Sequence, residues 1–111
     1  MTKLLKESVD LIESRGHSVD DVQFVKSNTD AWGDAEWQWC TWAQFAERAD
    51  FDYDAGFGGE VISLSLVIVG PDWWLERHEY DGSEWWAYKT LPVKPETYNP
   101  RLRIKYHEDE D

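Results

Sequence analysis

The chain predicts an α+β domain: an antiparallel sheet of about five strands, built from a hairpin plus a three-stranded meander, with two helices packed on one face. Three observations carry this. The amino-terminal segment repeats its apolar residues with a helical period, and a second helix is announced by a capping box at Thr41 and Gln44. Between and beyond these helices lie short segments of alternating β-forming residues. Two Trp-rich runs flank Asp81-Gly82, the dipeptide favoured in two-residue hairpin turns.

Taken in order, "TKLLKESVDLIESRG" sets Leu5, Val9 and Ile12 on one stripe with Leu4 and Leu11 beside it, and Gly16 ends the helix. "VQFVKS", residues 22–27, is a short strand, and the Asn, Asp and Gly residues that follow make a turn region reaching to about residue 35. "EWQWCT" is its hairpin partner, with Trp37, Trp39 and Thr41 on one side and Glu36, Gln38 and Cys40 on the other. Thr41 then caps a helix that closes near Asp50. "DFDYDAGFGGE" is an acidic loop, and "VISLSLVIV", residues 61–69, alternates as a half-buried strand with Ile62, Leu64, Leu66 and Ile68 on one face and Ser63 and Ser65 on the other.

In "WWLERHEYDGSEWW" the turn at Asp81-Gly82 fixes the pairing: Tyr80 with Ser83, His78 with Trp85, Arg77 with Trp86, Leu75 with Tyr88. Each Trp doublet therefore sends one indole to each side of the sheet. Which side is the core depends on the turn at Gly70-Pro71-Asp72. A two-residue loop sets Ile68 beside Leu75 and puts Trp74 and Trp85 outside; a three-residue loop exchanges the pairs. Either register leaves two tryptophans away from the main core. Burying one removes roughly 150–250 Å² from water, worth up to about 5 kcal/mol. That face is then either covered by the tail "YNPRLRIKY", with Arg and Lys stems on the rings, or reserved for a contact.

At 111 residues the chain is one domain, 1–111. Pro92, Pro95 and Pro100 break regular structure, so 93–111 forms an extended arm or a last edge strand ending in an acidic tip. One cysteine, Cys40, excludes an internal disulfide. Neither a secretory signal nor a membrane span is read, which places the chain in a cytoplasm. The 11 Lys and Arg against 23 Asp and Glu give a net charge of −12, a balance opposed to direct nucleic-acid or membrane binding and suited to a basic partner.

Enzymatic chemistry finds no foothold. Asp50, Asp52, Asp54 and Glu60 resemble a calcium loop, but Ala55 and Val61 stand where its glycine and bidentate glutamate belong, so a solvated acidic loop is expected and no metal or cofactor. His17, His78 and His107 have no zinc-ligand spacing, Cys40 reads as a small apolar residue, and Glu79 and Glu84 are expected to be water-screened beside their turn.

The run from "TWAQFAERA" through "WWLERHEYDGSEWWAYKTLP", residues 41–92, resembles short acidic proteins encoded by bacteriophages and mobile elements. With the net charge, the likeness implies an anti-CRISPR or DNA-mimic style of inhibitor acting in the bacterial cytoplasm on a basic host protein or nucleoprotein complex. The alternatives are an immunity-type protein that neutralises a basic toxin and a phage structural or assembly protein. On the leading reading Asp50, Asp52, Asp54 and Glu60 supply the electrostatics, with Trp74, Glu76 and Trp85 as a neighbouring patch.

Overall fold

The computed structural model describes residues 1–28, 36–56 and 61–107. Its elements run β1 (Thr2–Lys3), α1 (Leu4–Ser14), β2 (Phe24–Ser27), β3 (Gln38–Cys40), α2 (Trp42–Arg48), β4 (Asp52–Tyr53), β5 (Val67–Val69), β6 (Trp73–Tyr80) and β7 (Ser83–Thr90). The fold is α+β, with an antiparallel sheet of five strands in the order β3-β2-β5-β6-β7 and a two-stranded sheet, β1-β4. The first hairpin and the meander share one sheet because β2 pairs with both β3 and β5.

The amino-terminal helix closes as its sequence requires. Gly16 takes φ 81°, the His17 N–H donates to the Ile12 carbonyl and the Gly16 N–H to that of Glu13, which together form a Schellman motif. At its other end no side chain caps α1; the Leu4 and Leu5 N–H groups donate to the carbonyls of Phe51 and Ala49, so the end of α2 finishes the start of α1. Thr41 and Gln44 form the reciprocal capping box of α2.

Strand pairing follows the turn arithmetic residue for residue, from Tyr80 with Ser83 to Trp74 with Lys89. Asp81 and Gly82 both take positive φ, 52° and 85°, as a primed hairpin turn needs. The second turn is the two-residue form, since Ile68 pairs with Leu75 and Val69 with Trp74. Gly70 is obligatory there: a Cβ on it would lie 2.2 Å from the Trp73 ring. One cross-strand row, Cys40, Val25, Ile68, Leu75 and Tyr88, thus faces the helices. Around it Trp73, Trp86, Ile12, Phe45 and Tyr53 complete the core.

Three expectations are corrected. The strand expected over 61–69 is confined to Val67–Val69. Upstream, Ser63 and Ser65 use their side chains on local backbone, with Ser65 N–H donating to Ser63 Oγ and Asn28 N–H to Ser65 Oγ, and they bend the chain out of the ladder. The buried line of α1 is Leu4, Ser8 and Ile12, one step round from the expected Leu5, Val9 and Ile12, because Ser8 accepts the Trp86 indole N–H at 2.9 Å and donates to the Leu4 carbonyl. Glu84, expected to be screened by water, is buried.

Glu84 belongs to a polar cluster centred on Arg77, whose side chain is fully buried. Arg77 Nη2 donates to Tyr53 Oη at 2.9 Å and lies 3.4 Å from Glu84, while Nη1 lies 3.5 Å from Glu7. Tyr53 in turn donates to Glu7 at 2.6 Å. The second Glu84 oxygen accepts the Val61 N–H and the first that of Ile62. The guanidinium also stands 4.8 Å over the Trp86 ring. Among the described residues only Arg77 Nε lacks a hydrogen-bond partner in this cluster.

Truncating one partner of a buried pair strands the other. Glu84→Ala should therefore cost about 3–5 kcal/mol in urea unfolding followed by Trp fluorescence, and a loss typical of an exposed pair, under about 1 kcal/mol, would contradict the burial.

Burial, together with donation to Glu7, pushes the Tyr53 hydroxyl up to about 12 from its ordinary 10, against the opposing Arg77. The folded chain thus holds a proton that the unfolded chain releases. Stability should be whole below pH 10 and fall as pH rises towards 12, and Tyr53→Phe should remove this component of the slope in pH-dependent denaturation curves.

Candidate functional site

Opposite the helices the five-stranded sheet has a second face. A cross-strand row of Trp39, Lys26, Val67, Glu76 and Ala87 runs over it, followed by Phe24, Val69, Trp74 and Lys89, with His78 and Trp85 paired on the other flank. None of these residues is buried, and Trp85 and Trp39 are 40% and 70% exposed. The doublets divide as their parity dictates: Trp73 and Trp86 enter the core, Trp74 and Trp85 stand outside.

Glu76 is the polar centre of this face. One carboxylate oxygen accepts the Trp74 indole N–H at 3.1 Å, and the other lies 3.0 Å from His78 Nε2 and 3.8 Å from Lys89 Nζ. The hydrogen bonds from His78 and Trp74 hold its carboxyl below the usual range. His78 tilts against Trp85 with ring centroids 6.2 Å apart. The three residues Trp74, Glu76 and Trp85 therefore form one patch, joined through His78. Glu76 spends its charge inside the patch, bonded to Trp74 and His78.

Further along the same face, Phe24, Lys26, Trp37 and Trp39 line an open cleft of about 380 Å³, with Lys26 Nζ 4.5 Å over the Trp37 ring. Cys40 turns to the helix side beside a cavity of about 410 Å³ lined by Val25, Phe45 and Ile62 among others. Burial pushes its thiol up, against a weaker opposing pull from Arg48, which disfavours the reactive thiolate.

The acidic loop begins on the other side. Its chain is tied to β1 and α1, and Tyr53 within it reaches the Arg77 cluster on the inner face of the sheet. Asp50 and Asp52 are thus on the helix-bearing side, whereas Asp54 leads into Ala55, whose carbonyl accepts the Glu84 N–H beside Trp85, so the loop reaches the β7 edge next to the Trp74 patch. Asp50 pairs with Lys3 at 2.8 Å, Asp54 accepts the Gly56 N–H, and Asp52 is exposed within β4. Glu60, the turn region of 29–35 and the acidic tip of 108–111 lie outside the described residues. Among the described residues no three His, Cys, Asp or Glu side chains converge as ligands for a metal ion.

The same side carries carboxylates that sequence reasoning passed over: exposed Asp10 and Glu13 on α1, and Asp20 and Asp21 in a 3₁₀ turn, Val19–Asp21, whose capping box Ser18 and Asp21 supply. They were hidden because a lone acidic residue on a helix reads as ordinary solvated surface. Their common side emerges only when α1 is laid on the sheet.

No protein-family model, curated protein or solved structure matches this chain. No helix among the described residues is long and apolar enough to cross a membrane.

The split of the doublets has a direct readout. Trp86→Ala should cost about 3–5 kcal/mol, as for a fully packed aromatic, whereas Trp85→Ala should cost about 1 kcal/mol and remove part of the iodide-quenchable fluorescence. Equal costs would reverse the assignment of the faces.

Proposed function

We propose that the chain is a non-enzymatic inhibitor of the anti-CRISPR or DNA-mimic type, which binds the basic nucleic-acid-binding surface of a host defence complex in the bacterial cytoplasm. The observation that carries this reading is the pairing of a net charge of −12 with an uncovered aromatic sheet face. A solvated face bearing Trp39, Trp74, Trp85 and Phe24 forgoes a large hydrophobic gain, and such patches on small domains serve contacts. Indoles and imidazoles are suited to stack on Arg and Lys side chains of a nucleic-acid groove. The carboxylates of the helix side and of the acidic loop, Asp52 and Asp54 among them, supply the field that attracts such a groove. Asp50 contributes less, since Lys3 neutralises it in the free protein. The expected kinship of residues 41–92 with small phage-encoded proteins, for which the comparisons found no counterpart, would select defence inhibition among the roles open to an acidic binder.

The test is target-DNA binding by a purified CRISPR effector, followed by gel shift with increasing amounts of this protein. Loss of DNA binding is expected, weakening as salt rises. The double variant Asp52→Lys/Asp54→Lys and the variant Trp85→Ala should each raise the half-inhibitory concentration by about tenfold, the equivalent of one lost contact of about 1.4 kcal/mol. Inhibition untouched by both variants and by salt would refute the proposed surfaces. A captured partner that proves to be a basic toxin would instead favour the immunity-type reading.

A further inference from the structure

The segment after β7 departs from the rest of the chain in charge. Residues 91–107 carry four Lys and Arg against one Glu, whereas residues 1–90 carry seven against eighteen Asp and Glu. Three of those cations, Arg101, Arg103 and Lys105, alternate with Leu102, Ile104 and Tyr106. That is the period of a strand with one basic and one apolar side. Yet every residue from 91 to 107 is exposed, with Leu102, Ile104 and Tyr106 at 62%, 84% and 95%. The arm gives the chain a radius of gyration of 17.6 Å, against about 13 Å expected for a globule of this length.

The sheet offers a complementary edge. β7 is a terminal strand with β6 on one side only. In a two-residue hairpin the residues that close the turn exchange both hydrogen bonds, so Ser83, Trp85, Ala87 and Lys89 bond to β6 while Glu84, Trp86, Tyr88 and Thr90 direct their N–H groups outward. The Glu84 N–H is taken by the Ala55 carbonyl, which blocks the turn end of the edge. Among the described residues no further backbone hydrogen bond reaches Trp86, Tyr88 or Thr90 from outside the ladder, a stretch about the length of the alternating arm. A long open edge invites a strand from another chain unless something covers it.

The geometry points to a second copy of this chain as the occupant: residues 101–106 of one copy add as a sixth strand along Trp86–Thr90 of another, and the exchange is reciprocal about a two-fold axis. Charge favours the pairing overall, since a basic strand meets an acidic body with Glu13 exposed on α1. Asp10 is already paired with Lys6, and Arg15 stands 5.0 Å over the Tyr88 ring beside the edge. In this structure the arm is not laid back on its own edge: residues 91–107 form no strand and are exposed. Backbone pairing supplies the affinity and the alternating side chains supply the register.

Sedimentation equilibrium of the full chain tests this, read together with amide exchange. A mass twice 13.1 kDa is expected at micromolar concentrations, falling towards the monomer as salt rises, with the Trp86, Tyr88 and Thr90 amides protected in the dimer and exchanging freely on dilution. The triple variant Arg101→Glu/Arg103→Glu/Lys105→Glu should be monomeric, and its exposed sites leave the fold intact by circular dichroism. Thr90→Pro, which removes one outward N–H without touching the β6 ladder, should weaken dimerisation at least tenfold. A monomer at all concentrations overturns the proposal, and so does a dimer whose β7 amides stay unprotected or which survives the triple variant. Defence inhibition is scored separately, since neither the triple variant nor Thr90→Pro alters the Trp74 patch or the aspartates.

Discussion

One buried guanidinium organises this molecule. Arg77 projects from the inner face of β6 into a space where α1, β4 and the segment leading to β5 all meet the hairpin, and each supplies it with a partner: Glu7, Tyr53, and Glu84 with its bonded Val61 and Ile62 amides. The two carboxylate contacts are long, at 3.4 and 3.5 Å, and the shortest donation goes to the Tyr53 hydroxyl. Removing such a cation from water costs several kcal/mol, and a set of contacts this loose does little more than offset it. Its value is therefore geometric. Only one placement of α1, β4 and the Ile62 segment satisfies the charge, so four parts of the chain that also meet in the apolar core through Ile12, Tyr53, Ile62 and Trp86 are held in a single arrangement.

The position of Arg77 also decides what the other side of the sheet presents. Side chains on a strand alternate, so fixing Arg77, Leu75 and Trp73 inward forces Trp74, Glu76 and His78 outward, and pairing carries the same parity to Trp85 and Ala87 on β7. A slip of one residue would drive Glu76 and His78 into the helices and strip Glu7 and Glu84 of their cation. The aromatic face is thus specified from within. Trp residues come in doublets because the same two strands must furnish a large indole to a thin core and another to the surface.

Much of this was legible in the sequence where local rules operate without competition. The hairpin register followed from Asp81-Gly82, the start of α2 from Thr41 and Gln44, the end of α1 from Gly16, and the division of each tryptophan doublet between the two faces from parity alone. Misreadings cluster where a polar side chain takes a tertiary partner. Ser8 reads as a helix surface residue until Trp86 is seen to need an acceptor. Ser63 and Ser65 read as the solvent side of a strand, but they capture the backbone themselves. Glu84 lies next to a turn, yet loop amides converge on it. The two-residue strands β1 and β4 carry no periodicity, and they mark how α1 and the acidic segment dock on each other. That docking also sets Asp50 and Asp52 on the helix-bearing side.

This placement constrains how a partner can use the chain. Screening limits exposed charges to about 8 Å at physiological salt, and a helix layer alone is about 10–12 Å across with its side chains. Carboxylates on the helix side therefore add little to the energy of a contact made at the centre of the open face. On the proposed function they would act earlier, by orienting the approach of a cationic surface, and again where a partner wrapped a sheet edge and met both sides at once. At the β3 edge the cleft between Phe24, Trp37 and Trp39 holds Lys26, and a cation there would repel a basic partner unless a partner carboxylate paired with it. Glu76, already bonded to Trp74 and His78, cannot turn towards a newcomer without releasing both. Under the proposed function the central patch would therefore bind through ring faces and shape, with charge complementarity deciding from which side the partner arrives.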